Sequence, residues 1–128
     1  MADEMNAKME SPFACNMLAI KSDQRQHHIA TADQLFRAVK SIRELPNGYA
    51  FQLLNESDTL RLVTEFISLE RLCCPFFGFT IEIEPEGGSM WLQLTGREGV
   101  KPFIRAEIGE FLGAAIIHSS NFQWKPER

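Results

Sequence analysis

Cys73 and Cys74 stand side by side, with Glu70 one helical turn before them and Pro75 directly after. Adjacent thiols form a soft, bidentate hook. A carboxylate three and four residues upstream shares their face if the segment is helical. Sulfur ligands of this kind select thiophilic ions such as Hg(II), Cu(I), As(III) or Zn(II). The same groups could instead supply a nucleophile or a redox thiol, because the thiolate is the reactive form of cysteine. The pattern is not that of a zinc finger, which spaces its cysteines by two to four residues and uses four ligands. Cys15 could add a third thiolate if the fold carries it there. A shared ion would then hold the sulfurs roughly 3.5–4.5 Å apart, given Zn–S bonds near 2.3 Å.

The segment from about Thr59 to Cys74 has the pattern of a helix, ended by Pro75, which disfavours helical geometry in the residue before it. At about 100° per residue with Val63 at zero, Cys74 falls near +20°, Glu70 near −20°, Phe66 near −60° and Cys73 near −80°. Arg61, Thr64, Glu65, Ser68 and Arg71 occupy the opposite side. Glu70 is therefore expected inside the apolar arc, where a lone carboxylate costs several kcal/mol unless it is paired, protonated or ligated. It could pair with Arg25 or Arg43, or bond backbone amides, or belong to a polar pocket with the thiols. The cysteines too have a plain alternative, as small buried filler.

His28 is a further candidate ligand. It lies at the edge of the apolar stripe of a first helix, which is predicted from Ser22 or Asp23 to about Glu44 with Ile29, Ala32, Leu35, Phe36, Val39 and Ile42 facing inward. His27 points away from that stripe. A single His on an apolar face can equally be a hydrogen-bonded core residue. Gly96-Arg97-Glu98-Gly99 could place an anion at a helix N-terminus, but Glu98 would repel it, so a connecting turn is the expectation.

The elements that must position these groups follow from punctuation and period. Pro12 to Ile20, with Cys15, reads as a strand or an ordered loop. Leu45-Pro46-Asn47-Gly48 stops the first helix, and Tyr49 to Leu54 alternates as a strand. Phe79, Ile81 and Ile83 alternate with Thr80, Glu82 and Glu84, and Pro85-Glu86-Gly87-Gly88 turns the chain into a returning strand from Met90 to Thr95. A third helix spans about Val100 to Leu112, with Pro102 tolerated in its first turn. The expected fold is α+β: a two-layer sandwich of three helices on a small, mostly antiparallel sheet, in the order α-β-α-β-β-α. Residues 1–11 read as a flexible leader, 12–113 as a single domain and 114–128 as an irregular tail.

At 128 residues with 45% hydrophobic content, one domain can bury a core without disulfides. The net charge of −4 and the lack of clustered Lys and Arg argue against nucleic acid as a partner. No apolar run approaches the roughly 20 residues that span a bilayer, and residues 1–10 lack the apolar stretch of a secretory signal. With three cysteines, an odd number, a cytoplasmic location with reduced thiols is expected.

Three runs, Glu44-Leu45-Pro46-Asn47-Gly48-Tyr49-Ala50-Phe51, Glu70-Arg71-Leu72-Cys73-Cys74-Pro75-Phe76-Phe77 and Leu94-Thr95-Gly96-Arg97-Glu98-Gly99-Val100-Lys101, resemble a group of small bacterial proteins without an assigned activity. Their hallmark is a Glu-Arg-x-Cys-Cys-Pro-Phe segment, and similar segments accompany MerR-type metal-responsive regulators. Members tend to carry a cysteine shortly before the first helix, the position of Cys15. The resemblance covers about residues 13–112 and implies a metal or metalloid ion as partner. Residues and resemblance together lead to the expectation of thiol-based binding or sensing of such an ion, Zn or another thiophilic metal, through Cys15, Cys73, Cys74, Glu70 and His28. A cysteine-dependent or redox enzyme, and an interaction domain without a site, are the alternatives.

Overall fold

The computed structural model describes residues 10–113. The predicted tail, and the leader up to residue 9, lie outside the described residues. A 3-10 turn at Met17–Ala19 leads into helix α1 (Ser22–Arg37), strands β1 (Ser41–Leu45) and β2 (Gly48–Leu53), helix α2 (Ser57–Cys73), strands β3 (Gly78–Ile83) and β4 (Met90–Thr95), and helix α3 (Val100–Gly109). The class is α+β as expected, but the order is α-β-β-α-β-β-α rather than α-β-α-β-β-α. All pairings are antiparallel, in the sheet order β1-β2-β4-β3.

The additional strand corrects the first helix. Val39 and Ile42 continue the three-four spacing of Leu35 and Phe36, so the sequence pattern ran past the true end. The helix stops at Arg37, and Ile42 is buried as a strand residue opposite Phe51. Both readings bury the same side chains, and only the strand gives the backbone of β2 a partner on its outer edge. Ile29, expected inward, is 52% exposed. The inward face instead holds His28, Thr31, Ala32, Leu35 and Phe36.

One sheet face presents Tyr49, Phe51, Leu53, Met90, Leu92 and Leu94 to the helices, and all six are buried. Phe36 meets Phe51 and Phe66 edge-on, at 5.3 Å between ring centres in each case, which locks α1, α2 and β2 together. Val100, Ile104 and Ile108 of α3 close the same core. On the opposite face Trp91 is covered in part by the Arg43 guanidinium, 4.1 Å from the ring centre. The inward residues of β3 are less enclosed: Phe79 and Ile81 are half-buried and Ile83 is exposed, because β3 is an edge strand.

Gly48 sits where β2 meets the end of β4, and a Cβ there would lie 1.9 Å from the Leu94 carbonyl oxygen. Backbone cannot yield as a side chain can. Gly48→Ala is therefore expected to destabilise the fold by about 3 kcal/mol or more, read as a lower midpoint in urea unfolding.

Candidate metal centre

The end of α2 explains how adjacent cysteines can face the same way. Neighbours within a helix project about 100° apart. Here Cys73 is the last helical residue, and Cys74, forced out of helical geometry by Pro75, takes φ −129° and ψ 69°. A turn follows, in which the Phe77 N–H donates to the Cys74 carbonyl at 3.1 Å. Both cysteines are buried, with their Sγ atoms 3.9 Å apart. The wheel position assigned to Cys74 thus does not apply, since its helix ends one residue earlier.

Cys15 arrives from a segment pinned at several points. The Asn16 N–H donates to the Cys73 carbonyl at 2.9 Å, so the residue after Cys15 is tied to the last residue of α2. The Asn16 side chain caps the 3-10 turn, and the Arg25 Nε–H is shared between the Met17 and Ile20 carbonyls at 2.9 and 3.0 Å. Phe13 packs edge-on against Phe76 and carries the Arg97 guanidinium on its ring, while Arg97 also donates to the Ser11 carbonyl. The Gly96–Gly99 stretch is a connecting turn, and its arginine fastens the N-terminal segment. The outcome is that the Cys15, Cys73 and Cys74 sulfurs all lie within 4.8 Å of one another, with Cys15 exposed and the other two enclosed.

A second cluster shares Cys73. His28 Nε2 and Glu70 Oε1 are 2.7 Å apart, and Cys73 Sγ lies 3.6 Å from the same carboxylate oxygen. Donor atoms of His28, Glu70 and Cys73 likewise fall within 4.8 Å of one another, and all three residues are buried. Glu70 therefore sits inside the apolar arc, and its partner is His28 rather than Arg25, which serves backbone carbonyls, or Arg43, which lies on Trp91. The His28 ring stacks on Phe66, and among the described residues its Nδ1 has no hydrogen-bond partner.

These contacts place the negative charge on Cys73. Its thiol is lowered to about 6, chiefly by the hydrogen bond from Cys74 and also by that from His28, against the opposing effect of burial. Burial pulls His28 down, but its bonds to Cys73 and Glu70 outweigh that and raise it to about 9. Cys15 is pushed up to about 12, first by burial of its sulfur and then by Cys73. Cys74 is also raised, because it donates to the Cys73 thiolate and is buried. Glu107 of α3 is raised by burial and by the charges of Glu110, Glu70 and Cys73, so it belongs to the electrostatic surroundings of the site. Nothing in the sequence signals its approach. Asn16 and Arg25 as positioning residues were equally unreadable, since their partners are backbone atoms brought near only by the fold.

No family model, curated protein or solved structure matches the chain.

Two expectations follow. Between about pH 6.5 and 9 the native state keeps a proton on His28 that the unfolded chain loses, and lacks one on Cys73 that the unfolded chain keeps. These opposite contributions nearly cancel, so stability from the pair should be flat across that window. Above about 9 the unfolded thiols of Cys15 and Cys74 ionise while the native ones stay protonated, so stability falls with rising pH. Cys15→Ser should reduce that alkaline loss, measured as urea midpoints from pH 6.5 to 11 at constant ionic strength.

Glu70→Gln replaces the carboxylate that accepts from His28 with a neutral amide, which weakens the charge-assisted bond and buries an NH2 group, and should cost about 1–3 kcal/mol while changing thiol reactivity. Glu65→Gln, at an exposed ion pair with His27, should stay within about 0.5 kcal/mol. Equal effects in the two variants would contradict the role assigned to Glu70.

Proposed function

We propose that the protein binds a thiophilic metal or metalloid ion, with Cys15, Cys73 and Cys74 as its ligands and the His28–Glu70 pair supporting Cys73. The observation that carries this reading is the convergence of all three cysteines of the chain, from two distant segments, on one point. Filler cysteines need no such meeting. The exposure of Cys15 gives an ion a route to the two buried sulfurs. The likeness of the Cys-Cys-Pro-Phe segment to segments that accompany metal-responsive regulators supports the same reading.

A cysteine-dependent enzyme is the second reading, favoured by one observation: Cys73, lowered to about 6, stands beside a histidine–carboxylate pair. Its sulfur, however, is enclosed, whereas a nucleophile must meet its substrate.

A ligand that binds only the native state stabilises it by RT ln(1 + [L]/Kd), about 2.7 kcal/mol at a hundredfold excess over Kd. For a domain of this size that is a rise of roughly 10 °C in Tm. Wild-type protein melted with Zn(II) or Hg(II) should show such a rise, and the Cys73→Ala/Cys74→Ala double variant should not. An identical rise in both, or none in the wild type, would refute the proposal.

A further inference from the structure

We infer that the ion best suited to this site is a trivalent metalloid of the arsenic(III) type, held by Cys15, Cys73 and Cys74 alone, with His28 and Glu70 outside its coordination sphere. This inference rests on the metal-binding reading above and narrows it to one class of ligand.

The first argument is the number of donors. The three sulfurs form a set within 4.8 Å, and among the described residues no fourth His, Cys, Asp or Glu donor joins all three. His28 and Glu70 reach Cys73 only, and their facing atoms already bond each other at 2.7 Å. Zn(II) takes four ligands, and a three-residue site obliges it to add water or another donor. A trivalent metalloid forms three bonds in a pyramid and carries a lone pair in the fourth direction. Three converging sulfurs satisfy it completely.

The second argument is charge. Cys73 and Cys74 belong to the apolar core together with Phe76 and Phe77, and Phe13 packs against that core. Glu70 lies 3.6 Å from the Cys73 sulfur, and Glu107 is near enough to sense both. Three thiolates on Zn(II) make a complex of charge −1 beside the Glu70 and Glu107 carboxylates, and the nearby cation, His28, is already paired with Glu70 at 2.7 Å, so the added buried charge is costly. Three on As(III) make a neutral one.

The exchange balances without an oxidant. As(OH)3, the Cys15 and Cys74 thiols, the Cys73 thiolate and one proton from His28 or solvent give As(SR)3 and three waters: three As–O bonds break, three As–S bonds form, and each hydroxide leaves with a proton. Arsenic stays trivalent throughout. The incoming species is small and uncharged, and Cys15, the exposed member of the trio, can take it first and pass it to the enclosed pair.

The test titrates the reduced, full-length protein with arsenite and, separately, with Zn(II) and Hg(II). Free thiols are counted, the bound mass is read by native mass spectrometry, and the sulfur neighbours of arsenic are counted by X-ray absorption. One arsenite per chain is expected, with three sulfur neighbours, no free thiols left and no proton release. Zn(II) is expected to release protons and to fail to displace bound arsenite. Cys15→Ser, a change at an exposed residue that leaves the core intact, should lower arsenite affinity by more than the roughly 10–100-fold associated with loss of a supporting residue. His28→Asn should keep three sulfur neighbours around arsenic. Arsenite bound through two sulfurs and indifferent to Cys15→Ser would overturn the inference. So would Zn(II) or Hg(II) consuming all three thiols while arsenite fails to bind, although that result leaves the broader metal-binding proposal standing. Failure of every ion to bind would remove both.

Discussion

The hydrogen bond between His28 and Glu70 is the interaction around which this end of the molecule is organised. It joins α1 to α2 inside the core, 2.7 Å long, at a place where either group alone would be a buried polar residue left with only the weaker Cys73 sulfur as partner. Burying such a pair is no guarantee of stability, because desolvation offsets most of the attraction. Its effect is one of position. Glu70 cannot turn toward solvent without stranding His28, and the carboxylate in turn stands beside the Cys73 sulfur. The thiol cluster thus has a fixed polar wall on one side and aromatic rings on the other.

A second constraint completes the cluster. Pro75 ends α2 one residue early and turns Cys74 out of the helix, so that two neighbouring sulfurs converge. The Asn16 N–H then anchors the Cys15 segment to the carbonyl that this helix end leaves free. An unsatisfied helix terminus is here used to dock a distant piece of chain that carries the third thiol. Arg97, Phe13 and Phe76 hold the same segment from the other side. Local backbone chemistry and long-range packing therefore meet at one point.

The resulting electrostatics are uneven by construction. One thiol, Cys73, receives hydrogen bonds from Cys74 and His28 and becomes the site of negative charge, while Cys15 and Cys74 are held in the protonated form. Three identical side chains acquire different chemistry from their neighbours. A soft ion that replaces these protons would equalise them, since each sulfur would then share its charge with the same centre.

The amphipathic period of α2 and the rank of its polar face were sufficient to place Glu70 among buried residues, and the Pro75 stop was sufficient to put the cysteines at a helix end. Those features are local: they depend on 3.6-residue geometry and on the steric rule for the residue before proline. The sequence alone also determined the β3–β4 hairpin, through alternation and its Pro-Glu-Gly-Gly turn. It misassigned residues 38–44, because Leu35, Val39 and Ile42 satisfy a helical spacing as well as they satisfy a loop and a strand. Only pairing with β2 distinguishes the two. The partner of Glu70, the approach of Glu107 and the arrival of Cys15 were decided by tertiary structure. Each depends on a contact between segments far apart in the chain, and in the case of Cys15 on a backbone hydrogen bond, which no side-chain pattern encodes.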